Sequence, residues 1–217
     1  NIGITAGVET NVVSPEFLAG MNKMSLNIVP SKFTADTFTK TSYDKMEDKP
    51  GGQKEKIGVI KNEKPIGVLF EGVDTDVYCP KQKHELDKGL RNELDKLIKE
   101  DFAYLHVGQW GQQGFGEDRK NIGVLIKSFL KAFSNIPNPP ALVLKTNGAN
   151  FSVLDKADIK KRIQSVKDMF EGVDLPNIYL IHGDLTIEEM STLYNHPKIA
   201  AFITCTHGEG FGRPMLE

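Results

Sequence analysis

The feature that most constrains the fold is an alternation of short apolar runs and helix-period segments from residue 101 to residue 217. Strands are predicted where the apolar runs fall, at 102–107, 141–144, 177–181 and 199–204. Parallel strands separated by helices connect through right-handed crossovers and have helices on both faces of their sheet. The sequence therefore predicts a Rossmann-like α/β domain over 101–217.

Helices are predicted over 121–133, over 158–170 and from Thr186 onward, where Glu189 completes a capping box. Ligands of such sheets bind at the carboxyl ends of the strands. Two glycine-rich segments, 108–116 and 207–212, directly follow predicted strands. We therefore expect the ligand edge of the sheet to be built from these two loops.

The first hundred residues predict a separate α/β block. Strand-like runs and helix starts over 1–80 indicate part of another Rossmann-like domain. Within it, the polar segment 40–56 contains Pro50, Gly51 and Gly52, which predicts a loop or inserted excursion. A helix is predicted over 84–99, inside an interdomain connection assigned to 81–100.

Composition excludes several classes of protein. Hydrophobic residues make up 39% and charged residues 26% of the chain, which is typical of a soluble globular protein. No apolar run approaches the ~20 residues of a membrane helix, so no transmembrane segment is predicted. A formal net charge of -2 without a basic stripe argues against nucleic acid as a partner. Cys79 and Cys205 are far apart and predict free thiols, which favours a cytoplasmic location.

The segment with the most chemical content runs from Glu209 to Glu217, with the sequence Glu-Gly-Phe-Gly-Arg-Pro-Met-Leu-Glu. Gly210 and Gly212, on either side of Phe211, allow the backbone to approach a ligand closely. A helix start is predicted at the following proline, and helix N-termini bind phosphates. Because carboxylates are poor phosphate ligands, the two glutamates indicate contacts with hydroxyl groups.

This pattern resembles the paired-glutamate motif of retaining glycosyltransferases of the GT-B fold, in the group that contains family 4. The resemblance implies that Glu209 faces the donor hexose as a catalytic residue and that Glu217 binds the ribose hydroxyls. It also implies that Gly210, Phe211 and Gly212 line the donor site. The alternative is a carboxylate-flanked turn that happens to contain glycine.

A second element resembles the same family. Trp110, followed by Arg119 and Lys120 at a helix start, is similar to the family's basic element after the first strand of the C-terminal domain. The resemblance implies that Lys120, with Arg119, neutralises the donor diphosphate. The segment 111–118 is longer than expected, which leaves open which cation reaches the phosphate. Cations are unfavourable at a helix N-terminus, which favours a bound anion over a solvated pair.

Further positions extend the resemblance. His182 and Gly183 end the third strand, where family members contact the nucleotide base through the backbone, although His182 fits a hydrogen-bonded residue at the sheet edge equally well. Lys145 ends the second strand at the same edge. In the N-terminal block, Glu9 and Thr10 are candidates to line the cleft.

The function implied is transfer of a hexose from a UDP- or GDP-linked sugar to a hydroxyl of a saccharide, lipid or protein acceptor, with retention of configuration. The resemblance implies no metal and no separate cofactor, and Asp74-Thr75-Asp76 falls in the interdomain segment rather than in a metal clamp. Both ends of the chain look cut, so the N-terminal domain is expected to be partial and the C-terminal one truncated. The alternatives are a sugar-nucleotide epimerase of the same fold and a non-catalytic binding or structural module.

Overall fold

The structure is a computed structural model that describes residues 1–7 and 10–217. Val8 and Glu9 lie outside the described residues, and so does the predicted cleft position of Glu9. Contacts divide the chain into two units, one of Asn1–Gly72 with Gly208–Gly212 and one of Val73–His207 with Arg213–Glu217. The domain boundaries proposed from the sequence stay predictions.

The first unit is built on a parallel sheet. Its elements are β1 (Ile2–Ile4), α1 (Pro15–Met21), β2 (Leu26–Val29), α2 (Lys32–Lys40), β3 (Ser42–Asp48), β4 (Lys54–Lys61) and β5 (Ile66–Val68). β1, β2 and β5 pair in that order, all parallel. Ser14 and Ser31 cap α1 and α2 by accepting backbone N–H groups of Phe17 and Thr34, as N-cap serines do.

The prediction of a loop at 40–56 is wrong, because most of this segment lies in two paired strands. β3 and β4 form an antiparallel hairpin in this region, and Gly51 and Gly52 form its turn with positive φ angles of 95° and 78°. Opposite charges on the two strands pair, with Lys56 Nζ 2.6 Å from Asp44 Oδ1. Because most of these side chains are exposed, the strands lack the apolar alternation by which a half-buried strand is recognised.

The second unit confirms the predicted alternation of strands and helices. Its elements are α3 (Lys88–Leu97), β6 (Ala103–Val107), α4 (Ile122–Phe133), β7 (Ala141–Lys145), α5 (Val153–Lys167), β8 (Ile178–Ile181), α6 (Ile187–Tyr194), β9 (Ile199–Phe202) and α7 (Arg213–Leu216). The strands pair in parallel in the order β8-β7-β6-β9. The predicted capping box of Thr186 and Glu189 is present at the start of α6.

The core of this unit has a layer on each face of the sheet. Leu142 and Leu144 of β7 pack against α4 and α5, whereas Ala141 and Val143 pack on the side of α3 and α6. Successive side chains of a strand point to opposite faces, so β7 is buried on both sides, as expected of a parallel strand covered by helices on both faces. No helix in the described part of the chain is long and apolar enough to cross a membrane.

Two predicted helices have different bounds in the structure. α5 begins at Val153, five residues before the predicted start, because Ser152 caps it by accepting the N–H of Asp155. α3 begins at Lys88 rather than at 84, since the Asp87 side chain accepts the N–H of Leu90 there. Both starts depend on a single capping side chain, which apolar periodicity does not detect.

Candidate functional site

The candidate site lies at the carboxyl edge of the sheet in the second unit. β6, β7, β8 and β9 are parallel, so the segments that follow them leave the sheet on the same side. The segments that carry Arg119, Lys120, His182 and Gly183 therefore lie along this edge. Ligands bind at the equivalent edge in open α/β sheets.

Lys120 lies across the end of β6. The position that a Cβ on Gly108 would occupy is 3.4 Å from both Cδ and Cε of Lys120 and 3.2 Å from Nε2 of His106. Only 9% of Lys120 is exposed, whereas Arg119 is an exposed residue. The aliphatic stem of Lys120 is therefore buried against Gly108, the residue that follows β6.

The backbone of Arg119 joins two loops of this edge. Its carbonyl accepts hydrogen bonds from the N–H of His207 at 2.9 Å and from Oγ1 of Thr206 at 3.2 Å. Thr206 and His207 follow β9, and Arg119 follows β6. The loops after these two neighbouring strands are therefore fixed to each other.

The start of α4 already has a negative charge. Asp118 is buried, and its Oδ2 accepts the N–H of Ile122, the first residue of the helix, at 3.4 Å. Asn121, the N-cap residue, is left-handed with φ 55° and does not cap with its side chain. A bound anion is therefore not required to offset the cations at this helix start, because the Asp118 carboxylate already lies there.

The 111–118 segment is a packed loop. Arg162 of α5 lies over the Trp110 ring, 5.7 Å from its centre, and donates to the carbonyl oxygen of Gly111 at 2.6 Å. Phe115 fits against Gly123 of α4, where an added Cβ would be 2.9 Å from the ring. Arg162 and Gly123 thus hold the loop that precedes Lys120, and neither was singled out in the sequence.

His182 is hydrogen-bonded to a carboxylate at the sheet edge. Its Nε2 is 2.8 Å from Asp155 Oδ2, and both side chains are largely buried. Asp155 also accepts the N–H groups of Gly148 and Ala149, at 2.9 and 2.8 Å. The imidazole therefore has a structural partner, and the predicted contact of this segment with a base would fall to its backbone.

The pKa of Asp155 is lowered to about 2. Burial alone would raise it, but the hydrogen bonds from His182 and from the Gly148–Asn150 backbone outweigh burial. Asp155 follows Ser152 by three residues, a helix-start pattern that is readable from the sequence.

We expect Asp155→Asn to lower the free energy of unfolding by about 1–3 kcal/mol at neutral pH, since charged acceptors make the stronger hydrogen bonds. A depressed carboxyl pKa stabilises the fold above the ordinary pKa, near 4, and this contribution disappears as pH falls towards 2. The difference between wild type and variant should therefore narrow between pH 4 and pH 2. Urea titrations at several pH values measure it. Asp101→Asn, at an exposed aspartate, is the control, and a constant difference would contradict the assignment.

Lys145 ends β7 beside this pair. Its Nζ donates to the carbonyl oxygen of Gly183 at 2.7 Å and lies 5.2 Å from the centre of the Phe151 ring. Burial lowers the pKa of Lys145, and the charge of Asp184 opposes that effect. Gly183 has a φ of 143°. The turn after β8 is therefore held in place by a buried lysine.

The glycines of the 209–217 motif have structural roles. A Cβ on Gly210 would lie 2.8 Å from the carbonyl oxygen of Ala6, and Gly212 has a φ of 80°. Gly210 thus approaches the chain's own backbone closely, and the predicted place of Gly210 and Gly212 in the donor site stays a prediction. Glu209 and Phe211 belong to the first unit with them. Their predicted contacts with the donor stay predictions.

Glu217 belongs to the second unit, with Arg213. Its side chain is 7% exposed and forms an ion pair with the Arg213 guanidinium. α7 is a single turn, so it provides little dipole for a phosphate, and the phosphate contact predicted for its N-terminus stays a prediction. What the structure shows is a nearly buried carboxylate that is held in place.

The Asp74-Thr75-Asp76 segment forms a local turn. Asp74 Oδ1 accepts the N–H groups of Asp76 and Val77, so it stabilises a local turn. Among residues 1–7 and 10–217, no group of three or more His, Cys, Asp or Glu side chains is arranged to hold a metal ion. A metal-independent reaction stays a prediction.

Comparison with known proteins shows the fold. No protein-family model matches the chain, and no curated protein matches it in sequence. It is similar to an α,α-trehalose-phosphate synthase (UDP-forming) from Burkholderia xenovorans in complex with glucose-6-phosphate, with a TM-score of 0.53, 12% identity and coverage of 90% of this chain and 43% of that one. It is also similar to the E. coli structure described as trehalose-6-phosphate bound with UDP-2-fluoro glucose. The TM-score is 0.51, the identity is 9%, and the match covers 96% of this chain and 47% of that one.

These two structures are trehalose-6-phosphate synthases, which are glycosyltransferases of the GT-B fold. The predicted α/β, GT-B-like architecture with parallel sheets is therefore confirmed. The chain spans less than half the length of either neighbour. At this low identity the likeness concerns the fold alone, so family 4 membership stays a prediction.

Proposed function

We propose that this chain is part of a hexosyltransferase that takes its sugar from a nucleoside diphosphate. The observation that carries the proposal is the placement of Lys120, whose buried stem lies across the end of β6 at the ligand edge of a GT-B-like sheet. A cation at this edge stabilises a departing diphosphate more strongly as its negative charge develops. Arg119, one residue earlier and exposed, is the second cation of the proposal.

The other predicted residues complete the proposed donor contacts. In the second unit, the backbone at His182 and Gly183 is proposed to contact the base, and the Glu217 carboxylate to accept hydrogen bonds from the ribose. Glu209 is proposed to face the hexose. The bond from the anomeric carbon to the phosphate oxygen breaks with its electron pair going to the nucleoside diphosphate. The acceptor oxygen bonds to that carbon with retention, and the proton of the acceptor hydroxyl passes to an oxygen of the departing diphosphate.

The ligands of the two neighbouring structures guide the choice of substrates. One is a UDP-forming enzyme in complex with glucose-6-phosphate, and the other is bound with UDP-2-fluoro glucose. UDP-glucose is therefore the first donor to test, with GDP-linked sugars second. Glucose-6-phosphate is the first acceptor, followed by saccharide, lipid and protein acceptors without a phosphate.

Turnover with these substrates tests the proposal. We expect release of the nucleoside diphosphate and, by nuclear magnetic resonance of the product, an unchanged anomeric configuration. An inverted product would contradict the retaining mechanism, and an epimerised nucleotide sugar would show the epimerase instead. Saturable nucleotide binding without any transfer would indicate a non-catalytic module.

A further inference from the structure

The carboxylate of Glu217 is held by side chains from two helices of the second unit. Oε2 of Glu217 accepts a hydrogen bond from the Tyr194 hydroxyl at 3.3 Å. Oε1 pairs with Nε of Arg213. Tyr194 is the last residue of α6, and Arg213 is the first residue of α7. Among the residues that the structure describes, each oxygen thus has one side-chain donor, and the carboxylate is held at two points.

Tyr194 is well suited to act as a permanent donor. Burial raises the pKa of its hydroxyl, and the negative charge of Glu217 raises that pKa further. Its ring lies edge-on to Tyr78 with centroids 6.2 Å apart. The hydroxyl therefore stays protonated through the physiological range and donates to Glu217.

The end of α6 on which Tyr194 lies is itself fixed. Ser191 Oγ donates to the carbonyl oxygen of Val77 at 2.7 Å, and Asn195 Nδ2 donates to that of Cys79 at 3.1 Å. These contacts join α6 to the segment that carries Tyr78. The hydrogen bond from Tyr194 to Glu217 thus starts from a helix end that these contacts hold in place.

We propose that Tyr194 and Arg213 are positioning residues that orient the Glu217 carboxylate for the vicinal hydroxyls of a ribose. A carboxylate oxygen accepts about two hydrogen bonds, so each oxygen of Glu217 retains capacity for one hydroxyl. Two acceptors on one carboxylate match two adjacent hydroxyl donors. Fixing the carboxylate before binding removes the entropy loss of ordering a glutamate side chain. This inference rests on the proposed function, because it requires a nucleotide ligand.

Tyr194→Phe tests the inference, since it removes the hydroxyl and keeps the ring beside Tyr78. Calorimetric affinities for UDP and for 2′-deoxy-UDP, or for the GDP pair if UDP does not bind, give the preference for ribose. We expect wild type to prefer the ribonucleotide and Tyr194→Phe to reduce that preference about fivefold to tenfold, which corresponds to the typical net contribution of one hydrogen bond. Loss of affinity for both nucleotides equally would show a general structural role and overturn the inference.

Tyr179→Phe is the matched control. The Tyr179 hydroxyl also lies near a glutamate, 3.0 Å from Glu100 Oε2. Tyr179 is in β8, however, and its hydroxyl lies near the edge of the sheet opposite the ligand edge. The ribose preference of Tyr179→Phe should equal that of wild type. Arg213→Met repeats the test on a side chain that is 60% exposed, in case Tyr194→Phe does not fold.

The possible outcomes separate the two levels of the proposal. If the ribose preference is unchanged in Tyr194→Phe, the positioning role is overturned. The same holds for Arg213→Met where that variant replaces Tyr194→Phe. In either case, nucleotide binding by the wild type still supports the proposed function. If wild type binds neither UDP nor GDP, the proposed function fails and the inference fails with it. A reduced preference in the test variant, with Tyr179→Phe unchanged, supports both.

Discussion

Lys120→Ala is expected to lower the rate of nucleotide-sugar turnover by about 10²–10³-fold, which is typical when one stabilising donor of a developing charge is removed. Lys120 lies at the end of β6, where the proposal places the departing diphosphate. Its ammonium would interact more strongly with the diphosphate as the bond breaks. The loss should therefore fall mainly on kcat rather than on KM for the donor.

Lys131→Ala is the matched control for this prediction. Lys131 is exposed in the last turn of the same helix, α4, whereas Lys120 precedes the first turn at the ligand edge of the sheet. It removes the same charge and should leave turnover unchanged. Equal losses in both variants would mean that the net charge of the protein, not a positioned cation, supports activity. Unchanged turnover in Lys120→Ala and also in Glu217→Ala would exclude the proposed donor site.

Leu144→Ala is expected to lower the free energy of unfolding by about 3–5 kcal/mol. Leu144 lies on β7 with 0% exposure and packs in the cluster of α4 and α5. Removing it leaves a cavity under the strand that ends at Lys145. Denaturant unfolding followed by the fluorescence of Trp110, the sole tryptophan of the sequence, measures the loss within the same cluster.

Leu154→Ala provides the control for the core substitution. Leu154 is 82% exposed in the first turn of α5, so the same change of side chain removes almost no buried surface. Its effect should stay within about 0.5 kcal/mol. Similar losses at Leu144 and Leu154 would contradict the described packing of β7.

The sheet of the second unit was predictable because its strands are apolar on both faces. β6 and β7 appear as short continuous apolar runs, and the helices between them carry apolar residues at regular spacing. The hairpin of β3 and β4 was missed because its pairs are charged and exposed. Its stability comes from contacts across the strands, which a pattern along one segment does not reveal.

The candidate site was predictable in part. The order of strands and glycine-rich loops brings Lys120 and Gly183 to one edge, and that placement needed only the alternation of elements. The partners of these residues were not predictable, since Asp155 meets His182 and Tyr194 meets Glu217 across 27 and 23 residues of chain. Such pairs depend on tertiary packing. The close approach of Gly210 to the Ala6 backbone was likewise not predictable from the sequence.

The central claim, a nucleoside-diphosphate site at the carboxyl edge of the second sheet, is tested most directly by calorimetric titration of the chain with UDP, GDP and the corresponding monophosphates. We expect saturable binding of at least one diphosphate, tighter than its monophosphate. In Lys120→Ala that advantage of the diphosphate should disappear, and in Lys131→Ala it should remain. Absence of diphosphate binding, or an advantage that persists in Lys120→Ala, would contradict the claim.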